Sequence, residues 1–149
     1  MGSILNDADR AAIRERIGSV TSSSTPRWGR MDTRSMLAHL KLSALMALGE
    51  LPVASKSKRV FQVFPVKHLI LHVVPFPKSA PTAPELLVRS PAAWQADVAE
   101  LQALVDRFVA RGRESSPWPE HPAFGRLSHR AWGVLTYRHM DHHLRQFGT

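Results

Sequence analysis

The chain contains no cysteine. Disulfides, thiolate-held zinc and a cysteine nucleophile are therefore excluded, and any thiol in its chemistry must come from another molecule. It also has no apolar run able to span a bilayer. The most apolar stretch, Val60 to Phe76, is interrupted by Pro65, Lys67 and Pro75. Met1 to Arg10 carry two aspartates and no apolar core, unlike a secretory signal, so the expected compartment is the cytoplasm. No internal repeat, low-complexity boundary or serine–histidine–acid spacing is present. What remains is one stretch of 149 residues, 44% hydrophobic and 21% charged, which reads as a single globular domain over residues 1–149 with enough length for a core.

Twenty basic against twelve acidic residues give a formal charge of +8. That balance raises the question of nucleic acid. The basic residues are scattered, however, and their one cluster, Lys56, Lys58 and Arg59, lies in a serine-rich loop. No helix carries a basic stripe interleaved with aromatics, and no zinc-finger spacing exists. A solvated basic surface explains the charge, and its long-range field favours an anionic small-molecule ligand.

Four principal helices are predicted. Asn6 and Asp7 open the first, Ile13 and Ile17 form its buried seam, and Gly18 ends it. Asp32 or Thr33 caps the second, which runs to about Leu48 before Gly49; Ser35, Met36, His39, Leu42, Ser43 and Met46 share a face, with Arg34 and Lys41 opposite. Ser90-Pro91 is the start signal of the third, which runs to about Arg111 and groups Trp94, Asp97, Val98, Leu101, Leu104, Val105 and Phe108 on one side. Ser128 caps the last, which stops at Gly148. Between the second and third helices, Lys67 to Val74 fits strand or helix, and four prolines in Pro75 to Pro84 require a loop. The fold class is all-α, a four-helix bundle with an irregular crossover between helices 2 and 3.

Three of the eight histidines, His139, His142 and His143, fall within five residues of the last helix. At roughly 100° per residue, Trp132, Leu135, Thr136, His139, His143, Gln146 and Phe147 share its inward face, while Arg130, Val134, Arg138, Asp141 and Arg145 face outward. His139 and His143, about 6 Å apart along the axis, can address one ion from the same side. His142 lies on the flank. Two buried imidazoles with nothing between them would leave ring nitrogens to satisfy, although an inward histidine is also a common core residue hydrogen-bonded to a backbone carbonyl. Spacing supplies no third ligand: His39 is inward on its helix, and His68 and His72 form a rival pair four apart.

Three segments share a family pattern: Arg27-Trp28-Gly29-Arg30-Met31 leading into Met36-Leu37-Ala38-His39; His121-Pro122-Ala123-Phe124-Gly125-Arg126-Leu127-Ser128; and Trp132-Gly133 through His139-Met140-Asp141-His142-His143-Leu144-Arg145-Gln146-Phe147-Gly148. Together they resemble a DinB-like subfamily of unknown function within the DinB/YfiT superfamily, over most of the chain from Arg27 to Thr149. The resemblance implies a four-helix bundle holding a divalent metal through three histidines, which correspond to His39, His139 and His143. Many relatives have glycine before the residue matching Gln146; Arg145 stands there here, on the outer face. The relatives include transferases and isomerases that use a low-molecular-weight thiol such as mycothiol or bacillithiol.

Three neutral imidazoles leave coordination positions open and suit zinc, nickel, cobalt or iron without choosing among them. Gln146 shares the face of His143 and could orient its ring or contact substrate. His121 opens a proline loop before the last helix and either borders the pocket or only packs the loop. The expected function is a metal-dependent thiol S-transferase or hydrolase acting on a small molecule. The alternative is a non-catalytic metal- or ligand-binding bundle in a stress response, in either case compatible with a homodimer. Binding to duplex DNA is expected to be weak and to vanish by moderate salt through counterion competition. A filter-binding titration across salt checks this, and sequence-selective binding that survives physiological salt would contradict it.

Overall fold

The computed structural model describes residues 2–54, 59–75, 84–86, 93–112, 114 and 116–149. The described residues are all-helical. Five α-helices follow in order: α1 (Asp7–Ser19), α2 (Thr33–Leu48), α3 (Val66–His72), α4 (Trp94–Arg111) and α5 (His129–Gln146), with 3-10 turns at Arg59–Gln62 and Pro84–Leu86. No strand occurs among them; one isolated bridge pairs His121 with Gly125.

The helix starts follow the capping chemistry of the sequence. Asn6, Asp32 and Ser128 each accept a backbone N–H two or three residues into their helix, from Asp9, Ser35 and Ala131. Gly49 closes α2 in the left-handed region at φ 81°, its N–H returning to the carbonyls of Leu45 and Met46. The Ser90-Pro91 start signal lies outside the described residues, as do Lys56 and Lys58 of the basic cluster; within them, α4 begins at Trp94 behind Ala93.

The core sits where α2 packs on α4 and α5, with α1 laid against α4 and α5. This packing is compatible with a bundle. Ile13 and Ile17 of α1, Leu101, Leu104, Val105 and Phe108 of α4, and Trp132, Met140 and Leu144 of α5 are all buried. Helix α2 is buried around more of its circumference than one apolar face would predict. Leu37, Leu40, Ala44 and Ala47 join Met36 and His39 inside, while Leu42 and Met46 are only partly covered. The reason is that α2 has helices on two sides. The N-terminal segment is drawn in as well: Ile4 is fully buried and its N–H donates to the Gly133 carbonyl at 3.1 Å. A Cβ at Gly133 would stand 2.6 Å from Leu5 and 2.8 Å from Ser3, so the close approach there requires glycine.

The crossover is helical where strand and helix were both open. Helix α3 (Val66–His72) brings the count among the described residues to five rather than four. A lone strand there would have had no partner to satisfy its backbone, whereas the helix is closed by a side chain. The Arg138 guanidinium donates to the carbonyls of Ile70 (at 3.1 Å), Leu71 and Val74. Arg138 was expected on a solvent-facing side of the last helix; it is instead half-buried and pins the end of α3 onto α5. Cationic donors at a helix C-terminus also complement its dipole.

Lys41 is the other departure. It was expected opposite the buried face, yet it is 8% exposed, and its Nζ lies 2.6 Å from Asp97 Oδ1 and also pairs with Glu100. Asp97, on the inward face of α4, is itself 4% exposed and engaged by this lysine. Removing one partner strands a buried charge, whereas removing both does not. Lys41→Met is expected to lower unfolding free energy by about 3–5 kcal/mol, and the double change Lys41→Met with Asp97→Leu to recover most of it. Urea denaturation of the two variants beside the wild type measures this, and equal losses in single and double variants would contradict it.

Candidate metal centre

His39 stands mid-way along α2, and His139 and His143 stand one turn apart on α5. The packing of α2 against α5 brings the three together. One ring nitrogen from each lies within 4.8 Å of the others. His39 Nε2 is 2.9 Å from His139 Nε2, and the three ring centroids are 4.8–4.9 Å apart. His39 is buried, while His139 and His143 are partly exposed as whole residues.

Burial favours the neutral form of all three rings. Burial pushes the His39 pKa below its ordinary 6.5, against the hydrogen bond to the Leu86 carbonyl that would raise it. His139 is pushed well below that value, first by burial and then by the charges that His39, His143, His142 and His121 would carry. His143 is lowered to about 4, mainly by burial and by its neighbour His39. Neutral imidazoles present lone pairs at neutral pH. Two nitrogens sharing one ion at about 2.0–2.1 Å in tetrahedral geometry stand about 3.3 Å apart. His39 and His139 are 2.9 Å apart and all three nitrogens lie within 4.8 Å, a spread that ring rotation about one ion can close, so the residues fit a divalent ion.

The surroundings complete the centre. His39 Nδ1 lies 3.2 Å from the Leu86 carbonyl oxygen, and His143 Nδ1 lies 2.9 Å from Gln146 Oε1. Gln146 in turn donates to the Trp28 carbonyl at 2.8 Å. The Trp28 and Leu86 carbonyls carry no residue-type signal in the sequence, and neither was anticipated as part of the site.

The remaining candidates separate clearly. His142 packs edge-on against Trp28, with ring centroids 5.8 Å apart, and is not in the cluster. His68 and His72 face each other on α3 at 4.5 Å, but no third donor joins them among the described residues. His121 accepts at Nδ1 from the Ala123 and Phe124 N–H groups, at 3.0 and 3.3 Å, and packs between Phe124 and Trp132. It thus organises the loop entering α5, close enough to affect His139 electrostatically. Asp141, expected as a surface charge, is partly buried between Arg16 at 2.8 Å and Arg145 at 3.0 Å and is not directed at the histidines. No carboxylate belongs to the cluster among the described residues.

The chain belongs to the DUF1569 family, described as a protein of unknown function, which it matches over residues 5–149. No curated protein matches it. No solved structure matches it either.

The depressed histidines make the metal-free fold acid-sensitive. His143 and His121 both fall from 6.5 to about 4, in each case chiefly through burial. The unfolded chain therefore binds more protons than the folded one between these values. Their contribution is fully present above pH 6.5 and is lost as pH falls toward 4, on the order of 2–3 kcal/mol apiece. Urea midpoints of metal-free protein from pH 7.5 to 4.5 are expected to fall steadily below pH 6.5. A midpoint flat across that range would contradict it.

Proposed function

We propose that this is a DinB-like metal protein. In this reading α1, α2, α4 and α5 form a four-helix bundle, α3 lies in the crossover, and His39, His139 and His143 hold a divalent metal. The observation that carries it is the convergence of three neutral ring nitrogens within 4.8 Å from two helices a hundred residues apart. Two of these were readable as an inward pair, and the third is the residue that the family resemblance supplies.

An ion held there by three imidazoles supplies Lewis acidity and lowers the pKa of a bound water or thiol. The ligand set carries no charge, so the ion keeps its own and favours an anionic partner. The protein contributes orientation and exclusion of water. His39 is buried. Among the described residues no carboxylate in the cluster is placed to act as a general base, and the chain has no cysteine. Both facts favour an external low-molecular-weight thiol as nucleophile over hydrolysis assisted by a side chain. The substrate class is a small electrophile, the compartment the cytoplasm, and a homodimer is compatible with the reading. Zinc, nickel, cobalt and iron all suit imidazole. A metal-binding bundle without catalysis is the second reading, favoured by that same lack of a general base.

Elemental analysis of purified protein is expected to find up to one equivalent of divalent metal. His39→Ala, His139→Ala and His143→Ala should each remove it, with loss of at least tenfold in zinc affinity, while His142→Ala and the pair His68→Ala, His72→Ala should retain it. Equal loss in every variant would refute the assignment. Metal-loaded protein is then screened against epoxides and halogenated aromatics with several thiols, and against esters and amides without them. Thiol-dependent turnover lost in His39→Ala supports transfer, thiol-free turnover supports hydrolysis, and no turnover supports the binding module.

A further inference from the structure

Two of the three rings of the cluster are gripped by acceptors of different kinds. For His39 the acceptor is the Leu86 carbonyl, 3.2 Å from Nδ1. A carbonyl can only accept, so Nδ1 carries the proton and Nε2 keeps its lone pair. For His143 the neighbour is the amide of Gln146, which could turn either end toward the ring. Its choice is made elsewhere. Gln146 Nε2 lies 2.8 Å from the Trp28 carbonyl oxygen, which accepts only an N–H, and this directs Oε1 to His143 Nδ1 at 2.9 Å. The carbonyl cannot drift away, because the Arg27 N–H donates to the Gln146 backbone oxygen at 2.7 Å and ties the loop to the end of α5. Gln146 is 4% exposed, so water does not readily replace either partner.

We infer that Gln146, oriented by the Trp28 carbonyl, is a positioning residue that locks His143 in the Nδ1–H tautomer, presenting its Nε2 lone pair to the cluster. Neutral histidine in water favours the opposite tautomer, so the grip must act against an intrinsic preference. With His39 set the same way by Leu86, two Nε2 lone pairs converge before any ion arrives. Such partners of a ligand ring fix its orientation and raise its basicity. The consequence for metal affinity rests on the proposed metal reading; the tautomer itself does not.

The test is long-range proton–nitrogen NMR of the histidine rings in metal-free protein at pH 7.5, paired with competitive zinc titration. In the wild type, His143 is expected as Nδ1–H. In Gln146→Leu it should shift toward Nε2–H, with zinc affinity reduced 10- to 100-fold and the amide spectrum otherwise preserved. Gln146→Glu keeps an acceptor for His143 while losing the donor to Trp28, and it should retain Nδ1–H. This second variant also decides the matter if the leucine variant fails to fold. An Nε2–H tautomer in the wild type or in Gln146→Glu, an unchanged tautomer in Gln146→Leu, or unchanged zinc affinity after the switch would each overturn the inference. Zinc binding absent from the wild type would instead overturn the metal reading, and the tautomers would still decide the role of Gln146.

Discussion

Three imidazoles crowded within 4.8 Å of one another between α2 and α5 are the constraint around which the surrounding parts of the fold are arranged. Polar rings at such a position are costly unless their nitrogens are matched. His39 Nδ1 and His143 Nδ1 are matched by Leu86 and Gln146, and the third contact, His39 Nε2 to His139 Nε2 at 2.9 Å, lies inside the cluster itself. Each match draws in a different segment. Leu86 brings the 3-10 turn of the crossover over α2, and Gln146 brings the Trp28 loop against the end of α5. Segments that share no helix interface are thus held near one centre by hydrogen bonds at its rim.

The same logic explains why charged residues sit inside the helix packing. Lys41 joins α2 to α4 through Asp97, and Arg16 joins α1 to α5 through Asp141 and the carbonyl of Thr149. Arg138, the residue before His139, joins α5 to α3. Apolar packing alone tolerates sliding of one helix past another, because it is non-directional. Directional pairs fix register. A site built from residues on two helices depends on that register, since a shift of one turn, about 5.4 Å, would leave His39 facing at most one of its two partners on α5.

These clamps show which parts of the molecule were legible beforehand. Caps and stops follow from local chemistry, so Asn6, Asp32, Ser128 and Gly49 marked their helix ends in advance. The inward position of His139 and His143 follows from periodicity on one helix. Joining His39 to them required the family resemblance, because no property of α2 alone says which helix it will face. Lys41 and Arg138 were misplaced for the same reason. A cation reads as solvent-facing until the partner element, with Asp97 on α4 or the carbonyls ending α3, is known to lie opposite. Lys67 to Val74 was undecidable locally, since its apolar residues suit either state and the deciding group, Arg138, lies far along the chain. The Leu86 and Trp28 carbonyls were beyond sequence reading altogether, because every residue carries one.

His142 sharpens the point about position. It adjoins His143 in the sequence, yet a rotation of about 100° per residue carries it off the inward face, and its ring rests against Trp28 instead. Trp28 therefore serves two adjacent histidines by different means: its ring packs on His142, while its carbonyl orients Gln146 and through it His143. A change that moved this loop would alter the flank and the centre together. Replacing the Trp28 side chain and replacing Gln146 are therefore not equivalent, because only the second removes the acceptor at His143 while leaving the loop's backbone tie through Arg27 in place.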